Sequence, residues 1–540
     1  METGFLALMS ALAVSLILIP LATRLAPRLG FMDVPDPRKV HAAPVPRVGG
    51  WGIWAGTCVA IVVWIPPEPV VTAFLLGATI LFLSGVWDDR AELGHYAKFA
   101  AQIAAVGIFV IYGGVYVSHV PIIDAELSPA VGIPFTMFAL VGVINAINHS
   151  DGLDGLAGGE SALSLIGLTH LAFFGHGTAT VGIAMAALGG LVGFLRYNTH
   201  PASVFMGDSG SQVLGFTLGA LAVLLTQRAD PALSPALVLL LLGLPLADII
   251  YVLWRRIREG RNWFRATKNH VHHRLLERGL LQKESVTVIY SVQCLLVFGA
   301  VSLRYSSDWL IIGVYLLACA MAFVSLRWAE LHDWRARPAN HGVLRVFAQA
   351  KRSRVAIVAS RRFLQMAIPI YLILTSATAT TIHGSLAMTG AMAFSLLLIS
   401  SIFLRGRLSL LGRALIYVVC SLVVYLSMDS AELYHPWLSA IEIAFFGLLM
   451  ISIGVTLRST PARRASEFRT TAMDYLVVLV LWMGWVLILE PFAPLHTLMF
   501  KLVVLLYGCE VLIVGYRERW QKLAIPSMAA AGIVMLRGML

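Results

Sequence analysis

Long, nearly uncharged apolar runs recur along the 540-residue chain and constrain its fold more than any other feature. Gly4–Ala22, Val70–Trp87, Ala236–Trp254 and Trp309–Leu326 are each long enough to cross a hydrocarbon layer as a helix. A water-soluble fold could not bury the apolar surface of a chain that is 58% hydrophobic and 13% charged. The sequence therefore predicts an all-α, polytopic integral membrane protein, whose first run is a retained helix rather than a cleaved signal.

The apolar runs divide the chain into three parts. About eleven spans are predicted in residues 1–330, then a basic cytoplasmic linker over 331–362, then six or seven further spans in 363–540. The acidic residues and histidines of the last part sit singly, near span ends, so the chemistry is expected within residues 1–330. The eleven spans cover roughly 3–23, 50–65, 70–87, 98–117, 131–148, 160–175, 178–195, 210–227, 235–254, 285–303 and 309–327.

The net charge of +11 is distributed as a topology signal rather than as a surface for nucleic acid. Lys and Arg collect in alternate connections between spans: the first and the ninth are strongly basic, whereas the second and the fourth hold none. By the positive-inside rule, the odd-numbered connections are cytoplasmic and the N-terminus lies outside. The five cysteines lie inside apolar runs without paired spacing, so they predict neither a disulfide nor a metal site.

Five clusters of polar residues lie in odd-numbered connections of the first eleven spans. Polar groups at membrane level are costly, so a one-sided collection of them indicates a shared site. The first cluster combines prolines with three candidate ligands for phosphate or substrate, Lys39, His41 and Arg47. A basic topology determinant with a proline-rich turn is an equally good interpretation of this segment alone.

The second cluster places adjacent carboxylates, Asp88 and Asp89, at a helix end, with Lys98 at the head of the fourth span. Such carboxylates repel one another unless a cation or a proton intervenes, and Mg²⁺ would relieve the repulsion. The alternative is a solvated helix terminus, which is common.

The third cluster is a glycine-punctuated loop that follows the fifth span. Asn145 and Asn148 share one face of the helix end, and Asp151 and Asp154 come directly after it. The ligand series of an EF-hand is missing. Four convergent oxygen-bearing side chains favour a functional site over a loop that only connects two helices.

The last two clusters open the eighth span and occupy the ninth connection. Asp208 follows Gly207 where free N–H groups and the helix dipole favour an anion, although a simple N-cap is the usual role of such a residue. The ninth connection contains a histidine-rich loop with His270, His272, His273 and Arg274. These residues suit binding of a phosphate and a sugar, and zinc is the lesser alternative because no Cys or HxxxH partner accompanies them.

Taken in order, these clusters resemble the polyprenyl-phosphate N-acetylhexosamine-1-phosphate transferase family over residues 1 to about 330. The chain departs from the family at His149, where other members often carry Met, Leu or Ile, and the resemblance does not extend to the C-terminal half. The matching motifs are the Asp-Asp pair with Lys98 nine residues on, the Asn-x-x-Asn-x-x-Asp-Gly-x-Asp-Gly loop from Asn145 to Gly155, the Gly-Asp-Ser start at Gly207, and the His-x-His-His-Arg loop from His270, whose form is similar to the GlcNAc branch.

The resemblance implies a Mg²⁺-dependent enzyme of the bacterial cytoplasmic membrane, active on the cytoplasmic side, with Mn²⁺ as a substitute. The implied reaction joins UDP-GlcNAc and undecaprenyl phosphate to give undecaprenyl-pyrophosphoryl-GlcNAc and UMP, which initiates a lipid-linked cell-surface glycan. Asp208 and Asn148 would hold the metal. Asp88 or Asp89 would act as base toward the lipid phosphate or orient it, with a covalent aspartyl intermediate as the rival, and Lys98 would pair with the pyrophosphate.

The resemblance also implies substrate contacts for the other candidates. Asp151 and Asp154 would contact the nucleotide or position Lys98, and the histidine-rich loop would bind the sugar and its phosphate. The expected partners are a UDP-sugar, a polyprenyl phosphate lipid and the bilayer, but no nucleic acid, and a homodimer stays open. Two alternatives remain: another UDP-N-acetylhexosamine donor, and a transporter, which should place its polar residues at mid-bilayer in inverted repeats.

Overall fold

The computed structural model describes residues 2–35, 43–91, 93–120, 123–260, 269–336, 354–379, 382–403, 410–429, 436–458, 493–516 and 521–539. The chain divides into two compact units, the first comprising Met1–Arg337 and the second covering most of residues 338–540. Among the described residues, ten helices are long and apolar enough to cross a membrane. The prediction of an all-α, multi-pass membrane protein is confirmed.

Unit 1 contains all eleven predicted spans as helical segments. They are α1 (Glu2–Leu29), α2 (Gly49–Trp64), α3 (Pro69–Ala91), α4 (His95–Gly107, continued as a π-helical turn Ile108–Tyr112), α5 (Pro129–Ser150), α6 (Leu156–Phe174), α7 (Thr178–Asn198), α8 (Gly207–Leu224, continued as a π-helical turn Leu225–Ala229), α9 (Leu237–Leu241), α10 (Gly243–Arg258), the short α11 (Val271–Glu277), α12 (Gln282–Ser302) and α13 (Asp308–Leu331). The ninth span is thus broken into α9 and α10.

Helix α8 is the buried centre of unit 1. Every residue from Ser209 to Leu224 is buried, and α2, α3 and α5 pack around the helix. Small residues permit this close packing: a Cβ atom on Gly85 of α3 would lie 2.4 Å from the Cα atom of Ser209. The tight contact between α3 and α8 brings the end of one helix to the start of the other, and both ends carry candidate site residues.

The break between α9 and α10 has a local cause. Pro245 has no N–H group to donate to the Leu241 carbonyl, four residues earlier, and its ring clashes with that carbonyl in a regular helix. Ser164 Oγ and Gln293 Nε2 donate to the Leu241 oxygen instead, at 2.7 and 2.9 Å, and Gln293 Oε1 accepts the Leu244 N–H at 3.0 Å. Two side chains from other helices therefore satisfy the backbone groups that the break leaves unpaired.

Strand structure in the described residues is confined to two short antiparallel pairs: β1 (Met32–Asp33) with β2 (Val45–Pro46), and β3 (His119–Val120) with β4 (Ile123–Glu126). Directly after β2, Arg47 forms an isolated parallel bridge with Phe205. The bridge fixes the first connection beside the segment that leads into α8.

Unit 2 contains six described helices, and two acidic residues that stand alone in the sequence are paired with basic residues of other helices. Lys501 pairs with Glu442 at 2.7 Å and donates to Ser427 at 3.2 Å, and Arg413 pairs with Glu510 at 3.3 Å. The span expected near residue 472 lies outside the described residues. The helices are α14 (Arg354–Thr378), α15 (Gly384–Phe403), α16 (Leu410–Asp429), α17 (Pro436–Arg458), α18 (Ala493–Tyr516) and α19 (Gln521–Arg537).

Candidate active site

A cavity of about 1000 Å³ lies within unit 1 and is lined entirely from the odd-numbered connections and the helix ends that flank them. Each of the five clusters contributes at least one described residue to its lining. Four of the candidates, namely Asn145, His270, His272 and Arg274, do not line it. The candidates that do are Arg47, Asp88, Asp89, Lys98, Asn148, Asp151, Asp154, Asp208 and His273.

Lys98 joins the end of α3 to the start of α8. Its Nζ atom lies 2.6 Å from Asp88 Oδ2 and 2.7 Å from Asp208 Oδ2. The other oxygen of Asp88 accepts the Leu93 N–H at 2.5 Å. One ammonium group thus bridges two carboxylates that come from different helices, and all three side chains line the cavity.

Asp89 has a different environment from its neighbour Asp88. Its carboxylate accepts the N–H groups of Asp208 and Ser209 at 2.8 and 3.1 Å, and the Ser209 hydroxyl at 2.7 Å. Asp89 is 8% exposed and caps the free N–H groups of α8 from a distant part of the chain. Gly207, at φ +73°, is required here because a Cβ atom would lie 2.5 Å from an Asp89 oxygen.

The two asparagines of the third cluster occupy different positions. Asn148 donates through Nδ2 to Asp208 Oδ1 at 3.0 Å and to Ser211 Oγ at 2.8 Å. It therefore joins Asp88, Lys98 and Asp208 in one cluster, the Lys98 group. Asn145 does not line the cavity; it donates to Gln102 at 2.9 Å, and Gln102 in turn donates to a glutamine of α8. Asn145 therefore supports the packing of α4, α5 and α8, and its role as a substrate ligand stays a prediction.

The acidic loop after α5 forms another wall. Burial, and then the nearby charge of Asp208, raise the pKa of the Asp151 carboxyl to about 7. Asp154 Oδ2 lies 2.7 Å from His200 Nδ1 and accepts the Ala202 N–H at 3.1 Å. Lys98 is held by Asp88 and Asp208, and among the described residues no hydrogen bond or ion pair joins it to Asp151 or Asp154.

Of the four candidates in the histidine-rich loop, all of them described, His273 alone lines the cavity. His270 Nδ1 lies 2.7 Å from Asp248 Oδ2, and the other Asp248 oxygen accepts the Val271 N–H at 2.9 Å. His272 lies against Gly152, and burial lowers its pKa well below the usual range.

Arg274 is buried away from the cavity, although the sequence grouped it with the histidines. Its Nε atom donates to Glu330 of α13 at 2.7 Å, and its guanidinium lies 5.1 Å from the centre of the Tyr251 ring. The side chain is 3% exposed. Arg274 therefore fastens α11 to α13, and its contact with substrate stays a prediction.

The first cluster contributes through Arg47, which pairs with Asp33 at the cavity wall. Lys39 and His41 lie outside the described residues. Their predicted contacts with phosphate or substrate stay predictions.

Several lining residues were not among the candidates, including Asp33, His95, Asn198 and His200. Asn198 accepts the Gly155 N–H and donates to the Val204 carbonyl, both at 2.9 Å, and so holds two loops together. Asp33 precedes Lys39 and Arg47 in the same connection, which was a usable signal. Nothing in the sequence alone connected His200 with Asp154, 46 residues away.

The side-chain oxygens of Asp208 and Asn148 in the Lys98 group are ligands of the kind that a hard divalent cation prefers. No group of three or more His, Cys, Asp or Glu side chains is arranged for a metal ion within the described ranges, and this includes the histidine-rich loop. Carboxylate and amide oxygens next to a wide cavity suit Mg²⁺, which takes few protein ligands and completes its shell with phosphate and water. The residues present therefore fit Mg²⁺ better than zinc.

The helical fold defines a multi-pass membrane protein, and its polar cavity combines carboxylate, amide and basic groups as an active site does. Residues 71–226 match the model of glycosyl transferase family 4. The chain is 32% identical over 299 residues to a probable undecaprenyl-phosphate N-acetylglucosaminyl 1-phosphate transferase of Bacillus subtilis (strain 168), which covers 55% of this chain and 83% of that relative. It therefore belongs to the polyprenyl-phosphate N-acetylhexosamine-1-phosphate transferase family.

Two further relatives give the same result. The undecaprenyl-phosphate alpha-N-acetylglucosaminyl 1-phosphate transferase of Escherichia coli (strain K12) is 28% identical over 308 residues, 55% of this chain and 84% of the relative. The decaprenyl-phosphate N-acetylglucosaminephosphotransferase of Mycobacterium tuberculosis (strain CDC 1551 / Oshkosh) is 34% identical over 316 residues, 52% of this chain and 77% of the relative.

Proposed function

We propose that the chain transfers GlcNAc-1-phosphate from UDP-GlcNAc to undecaprenyl phosphate, giving undecaprenyl-pyrophosphoryl-GlcNAc and UMP. The observation that carries the proposal is the Lys98 group: one ammonium between two carboxylates, in a cavity lined from five connections. The names of the three relatives describe transfer of a GlcNAc phosphate to undecaprenyl or decaprenyl phosphate. The product would initiate a lipid-linked cell-surface glycan.

The reaction brings two anions together, so charge neutralisation and alignment supply most of the catalysis. An oxygen of undecaprenyl phosphate bonds to the phosphorus that carries GlcNAc. The bond from that phosphorus to the bridging oxygen breaks, and UMP leaves with that oxygen and its electron pair. Lys98, which Asp88 and Asp208 hold at the cavity wall, supplies positive charge to the pyrophosphate.

The carboxylates would divide the remaining work. Asp208 and Asn148 would hold Mg²⁺, or Mn²⁺ in its place, and the ion would neutralise charge on the pyrophosphate. Asp88, which contacts Lys98 directly, would orient the lipid phosphate or accept its proton. Asp89 would act as a positioning residue, because it binds the backbone that carries Asp208. A covalent aspartyl intermediate remains the rival to direct attack.

The other candidates would bind the donor and define the side of the membrane. His273 and Arg47 line the cavity and would contact the sugar phosphate, and His270 and His272 would support that loop. The odd-numbered connections that form the cavity are the basic ones, so the positive-inside rule supports a cytoplasmic active site in a bacterial cytoplasmic membrane.

The test is UMP release by the purified full-length chain from UDP-GlcNAc, a short polyprenyl phosphate and Mg²⁺. We expect Asp208→Ala to lower the rate by about two orders of magnitude or more. Asp230→Ala is the matched control, because Asp230 bonds Tyr305 and the Ala232 N–H and does not line the cavity. Chelation with EDTA should abolish the activity, and added Mg²⁺ should restore it.

Three outcomes would contradict the proposal in different ways. Near-normal turnover by Asp208→Ala would remove the metal assignment. Full activity in EDTA would remove the metal itself. A panel of UDP-N-acetylhexosamines in which UDP-GlcNAc is a poor donor would replace the sugar and keep the reaction type.

A further inference from the structure

The cavity contains an aspartate–histidine pair that the proposed chemistry does not use. Asp154 lies in the loop after α5, and His200 lies in the segment between α7 and α8. Asp154 Oδ2 is 2.7 Å from His200 Nδ1, and both residues line the cavity. The pair therefore joins two separate walls of the site.

The imidazole is held in a defined orientation. The carboxylate that contacts it also accepts the Ala202 N–H at 3.1 Å, so the acceptor is fixed by backbone as well as by the ring. Asn198 joins the same two chain segments through Gly155 and Val204. A carboxylate on Nδ1 selects the ring orientation and tautomer, and leaves Nε2 for another partner.

The pair is accessible and lies apart from the phosphate chemistry. The His200 side chain is 41% exposed, whereas the Asp88 side chain is 9% exposed. Within the described residues, no hydrogen bond or ion pair joins Asp154 or His200 to Lys98 or Asp208. A nucleotide sugar extends well beyond its pyrophosphate in both directions, so its ends must meet walls of this kind.

We infer that His200, oriented by Asp154, is a recognition residue for an uncharged, hydrogen-bonding ring of the nucleotide-sugar donor. This inference rests on the proposed function. The ring belongs to either the nucleoside or the hexosamine, which share N–H, O–H and carbonyl groups. His200 contacts the donor away from the reacting phosphorus, and Asp154 is the positioning residue that acts through it.

Steady-state kinetics test the inference. We expect His200→Ala to raise the KM for UDP-GlcNAc by about tenfold, because one hydrogen bond to the donor is lost and its partner group is left unsatisfied. The kcat should change by no more than about threefold. The KM for the polyprenyl phosphate should not change. His200→Gln, which keeps a hydrogen-bonding group, should recover part of the affinity and protects the test against a misfolded alanine variant.

Two additional measurements separate recognition from a structural link between the loops. Asp154→Asn should also raise the donor KM, and combining it with His200→Ala should add little, because the two residues act as one unit. His119→Ala, in a different connection and outside the cavity, is the control. Calorimetry identifies the ring: weaker UMP binding to His200→Ala assigns the nucleoside, whereas a loss limited to UDP-GlcNAc assigns the hexosamine.

Failure of the inference and failure of the proposed function give different results. An active wild-type chain whose His200→Ala and His200→Gln variants keep the donor KM, with only a lower melting temperature, overturns the inference alone. A well-folded wild-type chain that releases no UMP from any UDP-sugar overturns the proposed function and this assignment together.

Discussion

Replacing Asp89 with Asn tests whether the second carboxylate of the Asp88–Asp89 pair acts on substrate or on the protein. The Asp89 carboxylate accepts three hydrogen bonds at the start of α8, two from N–H groups and one from a hydroxyl. An Asn side chain keeps one oxygen and replaces the other with an NH₂ donor, which would face a donor of the protein. We therefore expect Asp89→Asn to disturb the position of Asp208 and the stability of α8 together.

The magnitude follows from the bonds. Hydrogen bonds to a charged group contribute about 1.5–3 kcal/mol each, and the buried N–H that is left without an acceptor adds a similar penalty. Asp89→Asn should therefore lower the free energy of unfolding by about 3 kcal/mol. Asp88→Asn is the matched control, because Asp88 contacts Lys98 and the Leu93 N–H rather than the α8 backbone. It should lower the rate of UMP release with a smaller loss of stability.

The assay combines thermal unfolding in detergent with UMP release over a range of pH. A positioning role predicts a clearly lower melting temperature for Asp89→Asn than for Asp88→Asn, and an unchanged shape of the pH–rate profile in the residual activity. The reasoning is refuted if Asp89→Asn melts like the wild type and loses the limb of the profile that reports a catalytic base. Asp89 would then be the base, and the capping bonds would be incidental.

Two further predictions concern groups buried within the helices. Gln293→Leu should lower the free energy of unfolding by about 2 kcal/mol, because the Leu244 N–H at the break after α9 loses its acceptor. Ser291→Ala on the same helix is the control and should be nearly neutral, because it loses only a bond to the Thr287 carbonyl. Equal melting temperatures of the two variants would refute the role of Gln293. Lys501→Met should destabilise unit 2 by about 3–5 kcal/mol, because it leaves Glu442 unpaired. Changing both residues to Met should recover most of that loss. A double variant as unstable as the single one would refute the pairing.

Hydropathy and charge predicted the helical segments of unit 1 and the connections that line the cavity. Both signals are local: the length of an apolar run fixes where a helix crosses, and the position of Lys and Arg fixes the side of its ends. The break after α9 was also visible as Pro245, but the span count passed over it because the run stays apolar. Which side chains satisfy that break, Ser164 and Gln293, depends on packing between distant helices.

The rotational setting of the helices explains the remaining differences. Arg274 follows His273 directly in the sequence, yet α11 directs one toward Glu330 and the other into the cavity. Likewise Asp88 and Asp89 are neighbours, but only Asp89 reaches the backbone of α8. A cluster of polar residues in the sequence predicts that a site exists, and tertiary packing decides which of those residues face it.

The charges that line the cavity provide an argument for a metal ion that is independent of the family. At neutral pH the described lining carries an excess of negative charge, although the proposed substrates are themselves anions. Protonation of Asp151, whose pKa is raised to about 7, removes only part of that excess. Like charges in a partly buried site repel strongly, so binding of a pyrophosphate requires positive charge beyond that of the described lining, and a divalent cation at Asp208 would supply it. The same excess accounts for Lys98 being shared between two carboxylates. The carboxylates that line the cavity are Asp33, Asp88, Asp89, Asp151, Asp154 and Asp208, against the permanent cations Arg47 and Lys98.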